Sequence, residues 1–171
     1  MARASTPGKG SCFRIELPAS LLVSKGILVS VSGQEVVLPM ETIRNMVKVP
    51  QSVVRRVNGQ MIAPVRGAVF PLLTLAHALS FGCQDGSREE WAVAIIDATT
   101  GPYGLVVDYF LGEVEVVVKP LNGVLAKVPE YVGAAIMGDG KTVLVVNPER
   151  LFSLPHAAQV EPSDLAVAVP S

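Results

Sequence analysis

The hydrophobic residues of this chain fall in short valine-rich runs, which glycine and proline interrupt every few positions. In the run from Ile27 to Ser32, Ile27, Val29 and Val31 alternate with other residues and would form one apolar face of a strand. Gly33 then allows a tight turn into a second run, Val36 to Leu38, so the two runs predict a hairpin. Because the same pattern of runs and turn residues continues along the chain, the sequence predicts an all-β protein.

The dipeptide Asn58-Gly59 is the strongest hairpin signal in the sequence, because both residues tolerate the positive φ angles of a two-residue turn. It predicts a hairpin between strands at 53–57 and 60–65. The loop Gly138 to Lys141 is rich in residues of the same kind and predicts a further hairpin. The remaining strands are predicted at 46–49, 68–71, 91–96, 103–107, 114–118, 131–137 and 142–146.

Two short helices are predicted beside these strands. Apolar residues recur at helical spacing over 72–79, which predicts a helix at the end of the first group of strands. Asn147 followed by Pro148 provides a helix N-cap and a proline at the first helical position, which predicts a second helix over 148–152.

The polar segment 82–90 divides the strands into two groups of similar size, roughly 24–82 and 91–152. A small antiparallel sheet loses its exposed edges when it closes, so we expect two SH3-like five-stranded β-barrel subdomains packed together, with short helices. The prediction leaves open that segments of the two subdomains interleave along the chain. Barrels of this size are filled by side chains, which leaves outer faces, edge strands and the groove between them for function. Residues 155–171 show no strand or helix period and are predicted to form a flexible tail.

Composition excludes several classes of protein. The net charge of the 171 residues is −1, so the chain has no basic surface of the kind that nucleic-acid binding requires. Its apolar runs are too short to cross a membrane, and the first residues lack the apolar core of a secretory signal. The two cysteines, Cys12 and Cys83, are interpreted as cytosolic thiols.

Catalytic and ligand-binding motifs are weak. The segment 8–11, Gly-Lys-Gly-Ser, lacks the spacing of a phosphate-binding loop, in which a Gly-Lys pair is followed directly by Ser or Thr. His77 and His156 are far apart in sequence and lack the spacing of metal ligands, and no metal or cofactor is predicted. Asp97 and Asp108 end adjacent predicted strands and leave an acid–base pair open as one interpretation, beside the commoner role of aspartate in turns.

Four blocks of the sequence resemble the CheW-like domain of bacterial chemotaxis proteins, in the same order and at appropriate spacing over residues 24–152. The resemblance is specific because coincidence rarely preserves order as well as residue type. The blocks are the first hairpin from Gly26 to Pro39, Arg66 to Leu73, Val106 to Leu121, and Gly133 to Gly140.

The first residues narrow the resemblance to one branch of the family. Residues 8–18, a glycine-rich segment followed by an alternating run that ends in Leu17-Pro18, are similar to the last strand of a histidine-kinase ATP-binding domain. In kinases of the CheA type that strand leads directly into a CheW-like regulatory domain. Residues 1–18 are therefore expected to be a remnant of the kinase domain with its linker, and 24–152 the CheW-like domain. Departures from the family pattern, Val65 for Leu and Asn147 for Asp, are mild.

The resemblance implies a non-catalytic regulatory module of a chemotaxis histidine kinase. Its expected partners are a CheW-type adaptor, the cytoplasmic tip of chemoreceptors and the remaining kinase domains, at a cytoplasmic location beside membrane receptor arrays. A stand-alone CheW-type adaptor and, less favoured, a small enzyme with paired aspartates are the alternatives.

Arg66 is the residue from which we most expect partner contact, because its guanidinium offers five donors and the following glycine lets another chain approach. A salt bridge between Arg66 and Glu41 within the chain is the open alternative. The candidate partner-binding residues are Arg66, Gly67, Val53, Val57, Asn58, Gly59, Met61 and Ile62.

Overall fold

The computed structural model describes residues 2–5, 11–14, 22–82 and 88–153 of the chain. The predicted tail at 155–171 and the end of the predicted leader strand, at Leu17-Pro18, lie outside these residues. The strands are β1 Ala2–Ser5, β2 Ser11–Arg14, β3 Leu22–Val31, β4 Gln34–Pro39, β5 Ile43–Pro50, β6 Arg55–Val57, β7 Gln60–Val65, β8 Ala68–Thr74, β9 Glu90–Ala98, β10 Gly101–Val107, β11 Tyr109–Lys119, β12 Tyr131–Ile136 and β13 Thr142–Val146. The helices are α1 Leu75–Ala78 and α2 Pro148–Leu151, and 3₁₀ turns occur at Met40–Thr42, Gln51–Val53 and Gly123–Lys127.

Five strands form a closed barrel in the order β11-β12-β13-β4-β3. The β3–β4 and β12–β13 pairs are the antiparallel hairpins that the sequence predicts. Strand β11 pairs antiparallel with both β3 and β12, and β13 pairs parallel with β4. The barrel therefore combines strands from both ends of the described chain.

Six strands form the second sheet, in the order β5-β9-β10-β8-β7-β6. Neighbouring strands are antiparallel except for β10 and β8, which run parallel. Strands β5 and β6 each have one neighbour in the sheet and are its two edges. Separately, β1 and β2 pair in a two-stranded antiparallel sheet.

The all-β prediction, with two packed β-subdomains and short helices, is confirmed. The division into consecutive halves at 24–82 and 91–152 does not match the sheets, whereas the interleaved arrangement does. The reason is the parallel pairing of β4 with β13 and of β8 with β10, which joins distant segments. The helix predicted over 72–79 begins only at Leu75, because Leu72 pairs with Gly104 as part of strand β8.

Three hydrophobic clusters fill the part of the molecule that the structure describes. One lies inside the closed barrel around Val37, Val116 and Val145. A second lies inside the six-stranded sheet around Leu72 and Ile95. The third and largest joins the two: the outer side chains of β3 and β4 pack against β9, β10, α1 and α2. The apolar face predicted for β3, Ile27, Val29 and Val31, thus packs against the neighbouring sheet and not inside the barrel.

Candidate functional site

An apolar patch covers the outer face of the β6-β7-β8 edge of the six-stranded sheet. Residues directly opposite one another in antiparallel strands project on the same side, and Ile62 lies opposite Pro71 while Pro64 lies opposite Val69. Val57 lies opposite Gln60 and therefore shares that side. Val57 is 49% exposed and Val69 62% exposed. We call the apolar part of this surface the outer patch; its members are Val57, Ile62, Pro64, Val69 and Pro71. The exposed Arg55 lies opposite Ile62 and adds a positive charge to the same face.

The two prolines of the outer patch lie where their strands lack a neighbour on one side. Strand β6 pairs with β7 only as far as Ile62, so Pro64 lies beyond the end of that pairing. Strand β10 pairs with β8 only from Leu72 onward, so Pro71 lies just before it. Because proline has no N–H group to donate, these positions resist the addition of another strand. Contact through this face would use side-chain burial more than backbone pairing.

Tight turns flank strand β7 at both ends and have nearly identical backbone geometry. Asn58 and Gly59 have φ angles of 51° and 81°, which confirms the predicted hairpin. Arg66 and Gly67 have φ angles of 50° and 84° and join β7 to β8 in a second two-residue hairpin. Asparagine is a preferred residue at the first position of such a turn, whereas arginine is not. The β7–β8 turn therefore contains a residue that is poorly suited to its backbone.

The Arg66 side chain is exposed and makes no hydrogen bond or ion pair with any residue that the structure describes. The alternative salt bridge to Glu41 is not formed. Arg66 lines a small cleft of about 170 Å³ between its own hairpin and the edge strand β5, where Lys48 lies on the opposite side. The cleft thus combines Arg66 with the prolines Pro50 and Pro64, while the Lys48 ammonium group pairs with Glu90 at 3.9 Å.

The structure gathers only some of the predicted partner-binding residues on one surface. Val57 and Ile62 lie in the outer patch, and the two turns flank it. Met61 is only 6% exposed and packs inside the sheet, so its assignment to an exposed edge was wrong. Consecutive residues of a strand project to opposite faces, so Met61 and Ile62 could not both be outside. Val53 is half-buried against the same internal cluster.

The sequence analysis missed three members of the outer patch: Pro64, Val69 and Pro71. The alternation Gln60, Ile62, Pro64 along β7 carried a signal for the outer face, because every second residue shares a side. The pairing of β7 with β8 was not visible, because Arg66-Gly67 does not resemble a standard hairpin turn.

The two aspartates considered as an acid–base pair are separated in the structure. Asp97 lies opposite Pro102 near the start of β10, and Asp108 follows the last residue of β10. Six residues of extended chain place them roughly 20 Å apart. Asp97 binds Arg44 at 2.5 and 2.9 Å, and Asp108 binds Arg88 at 3.2 Å. They cannot act on one substrate atom together.

The closed barrel has an apolar surface of its own. Val23, Val117 and Ile136 lie opposite one another on the adjacent strands β3, β11 and β12. They line a shallow groove of about 330 Å³ together with Glu115, Val116, Met137 and Gly138. Val23 is 69% exposed, which makes it a useful counterpart to Val69 of the outer patch.

Titratable groups with shifted pKa values lie in strand β10 of the sheet, in barrel strand β12 and in α2, and not at the outer patch. Burial, and secondarily the nearby Glu149, raises the pKa of Tyr103, whose hydroxyl donates to the Pro148 carbonyl oxygen at 2.6 Å. Burial, with Glu130 beside it, raises the pKa of Tyr131. The backbone N–H and hydroxyl of Thr99 donate to Glu149 Oε2 at 2.9 and 2.7 Å and lower the pKa of Glu149.

Within the described ranges, no group of three or more His, Cys, Asp or Glu side chains is arranged to hold a metal ion. No helix in this part of the chain is long and apolar enough to cross a membrane.

Sequence comparison connects this fold with chemotaxis proteins. Curated relatives include the chemotaxis protein CheA of Treponema pallidum, 32% identical over 148 residues, which are 85% of this chain and 18% of that protein. CheA of Klebsiella aerogenes is 31% identical over 152 residues, 88% of this chain and 23% of that protein. The chain thus spans about a fifth of the length of the curated relatives it matches.

A solved structure supports the fold. The scaffolding protein CheW from Thermoanaerobacter tengcongensis superposes with a TM-score of 0.60 and 16% identity, covering 81% of this chain and 99% of that one. The CheW-like domain family matches residues 25–156, most of the described strands included. The chain therefore belongs to the family of CheW-like domains.

Proposed function

We propose that this chain is the non-catalytic regulatory module of a chemotaxis histidine kinase, and that it binds a CheW-type adaptor through the outer patch and Arg66. The second partner in this proposal is the cytoplasmic tip of a chemoreceptor, which would contact the groove between the barrel and the sheet. Binding of both would couple receptor state to kinase activity. The similarity to CheA proteins over about a fifth of their length supports the assignment to a kinase.

The single observation that carries the adaptor site is the strained, unpaired Arg66. A left-handed backbone costs a side-chain-bearing residue about 1–2 kcal/mol, and Arg66 has a φ of 50°. No described residue compensates this cost by contacting the guanidinium. Strain that the fold does not compensate is typical of residues kept for binding. A carboxylate on the partner would pair with the guanidinium in a bidentate geometry.

The outer patch supplies the apolar part of the contact. Val57 and Val69 are half or more exposed, and apolar side chains of this kind stabilise a complex when a partner removes them from water. The patch is small, so we expect an interface near the low end of specific contacts. Many copies held together in a receptor array would strengthen such contacts by multivalency. In this proposal the chain works in the cytoplasm, beside membrane receptors.

Calorimetric titration of the chain with a CheW-type adaptor tests the proposal. We expect Val69→Asp to weaken binding at least about tenfold, because a carboxylate in an apolar contact loses its hydration. Val23→Asp is the matched control, since Val23 is an equally exposed strand valine on the closed barrel. It should leave binding unchanged. Equal binding of both variants, or a loss with Val23→Asp alone, would contradict the proposed surface.

A free-standing CheW-type adaptor is the second candidate, since a CheW scaffold shares this fold over 99% of its own chain. At 16% identity this likeness concerns the fold alone. The natural reading frame separates the two candidates: a kinase encodes a phosphorylatable histidine and an ATPase domain upstream, and an adaptor does not.

A further inference from the structure

A polar cluster joins the closed barrel to the six-stranded sheet at the turn between β3 and β4. It consists of Ser32, Gly82, Arg88 and Asp108, and we call it the clasp. Ser32 belongs to a hairpin turn of the barrel, whereas Gly82 and Arg88 lie on the connection between α1 and β9 of the other subdomain. Asp108 is the single residue between β10 of the sheet and β11 of the barrel.

Directional contacts hold the clasp together. The Ser32 backbone N–H donates to Asp108 Oδ2 at 2.7 Å, and the Ser32 hydroxyl donates to the Gly82 carbonyl oxygen at 2.6 Å. The Arg88 guanidinium donates to the Asp108 carbonyl oxygen at 3.0 Å and pairs with Oδ1 at 3.2 Å. It also lies 4.5 Å from the centre of the Tyr109 ring. Asp108 therefore binds one element from each subdomain.

The backbone of Ser32 indicates that these contacts are more than incidental. Ser32 has a φ of 49°, at the same turn position that Asn58 occupies with a φ of 51°. Serine fits this left-handed position less well than asparagine or glycine. Here, unlike at Arg66, the side chain has a partner in the other subdomain, the Gly82 carbonyl oxygen. The hydroxyl contact compensates for an unfavourable turn residue.

The clasp also differs in kind from most of the contact between the subdomains, although α2 also hydrogen-bonds to Tyr103 and Thr99 on the side of the sheet. The large cluster between β3, β4 and the sheet is composed of apolar side chains, and hydrophobic burial is non-directional. The apolar cluster therefore resists separation of the two subdomains more than it fixes the angle between them. Charge-assisted hydrogen bonds require defined geometry. Half-buried Arg88 and Asp108, with side chains 30% and 24% exposed, are also screened less than surface pairs.

We propose that the clasp sets the relative orientation of the barrel and the sheet, and that Asp108 is the hinge about which they reorient when the clasp opens. Reorientation would change the groove between the subdomains without unfolding either sheet. This inference concerns the isolated chain and does not depend on the proposed partners.

Distance distributions between two spin labels test the proposal on the full chain. Labels are attached at Ser52→Cys on the sheet and Lys119→Cys on the barrel, in a background with Cys12→Ser and Cys83→Ser. We expect a narrow distribution for the intact clasp and a broadened or shifted one for Arg88→Ala. Ser32→Gly is the second variant, for the case that Arg88→Ala does not fold. It removes the hydroxyl contact and relieves the backbone strain of the turn, so we expect it to fold and to broaden the distribution in the same way.

Arg44→Ala is the matched control, because the Arg44–Asp97 pair has shorter contacts, 2.5 and 2.9 Å, but joins two strands of one sheet. It should leave the distribution unchanged. Broadening in either clasp variant with an unchanged control supports the proposal. A distribution that stays narrow in every folded clasp variant overturns it, as does equal broadening by Arg44→Ala, which would report general loosening.

Discussion

The closed barrel and the six-stranded sheet are built from similar strands but differ in their edges. In the barrel, β13 pairs with β4 and every strand has two neighbours. In the sheet, β5 and β6 have one neighbour each, and short pairings leave parts of β7 and β8 uncovered. The unpaired Arg66 and the prolines of the outer patch belong to this incompletely paired region.

In our proposal, this difference assigns stability to the barrel and recognition to the sheet. Closure removes the exposed edges of the barrel, and at Gly133 the Lys119 carbonyl oxygen lies only 2.5 Å from the position that a Cβ atom would take. The open sheet retains exposed outer side chains and a strained turn, in which Arg66 makes no hydrogen bond or ion pair with a described residue. We conclude that the sheet is the better candidate for partner contact and the barrel the better candidate for a rigid support.

The largest effect on the free energy of unfolding is expected at two buried glycines, one in each region. A Cβ atom at Gly133 of the barrel would lie 2.5 Å from the Lys119 carbonyl oxygen, whereas at Gly104 of the sheet it would meet the side chains of Leu72 and Val93 at 2.5 and 2.9 Å. Backbone cannot move without breaking strand pairing, but side chains can rotate. We expect Gly133→Ala to lower the free energy of unfolding by about 3 kcal/mol and Gly104→Ala by about 1 kcal/mol.

Urea unfolding measures both changes. Gly138→Ala is the control, because Gly138 has open space around it and should change stability little. If Gly104→Ala proved as costly as Gly133→Ala, the contrast between a tight barrel and a more adaptable sheet would be lost.

An intermediate effect is expected at the strained turn. Arg66→Asn should raise the free energy of unfolding by about 1 kcal/mol, because asparagine tolerates the left-handed backbone, while weakening adaptor binding. Asn58→Arg places the opposite change in a turn of the same geometry and should lower stability by a similar amount. Denaturant unfolding together with titration of the adaptor gives both readouts. Destabilisation by Arg66→Asn would mean that Arg66 has a stabilising role within the fold.

The smallest effect concerns the joint between the two regions, where α2 follows the barrel strand β13 and contacts the β9–β10 turn of the sheet. Thr99 lowers the pKa of Glu149 below its usual value of 4.5 by hydrogen bonding to the ionised form. The stability that this contact contributes is therefore present above pH 4.5 and is lost as the pH falls through the lowered pKa of Glu149. Glu149→Gln should lower the melting temperature slightly at neutral pH, with the difference from wild type disappearing in acid. A pH-independent difference would contradict this origin.

Local features of the fold were predictable from the sequence. Valine-rich runs, Asn58-Gly59 and Asn147-Pro148 correctly predict strands, a hairpin and the last helix, because these preferences act between near neighbours. The Asn147 side chain, however, makes no capping hydrogen bond. The helical spacing over 72–79 predicted the start of the helix too early, because Leu72 pairs with Gly104 and belongs to strand β8.

Distant pairings were not predictable. The parallel contacts of β4 with β13 and of β8 with β10 join segments far apart in sequence, and no local pattern specifies which strands meet. The candidate site shows the same division. Arg66 and Val57 were chosen correctly as exposed residues, whereas Val69 became part of the outer patch only through the β7–β8 register.

Amide hydrogen exchange of the chain, free and bound to a CheW-type adaptor, tests most directly whether the open sheet is the docking surface. Our account predicts slower exchange on binding in β6, β7, β8 and the Arg66-Gly67 turn, with little change in β11 and β12 of the barrel. Protection confined to β11 and β12, around Val117 and Ile136, would contradict it.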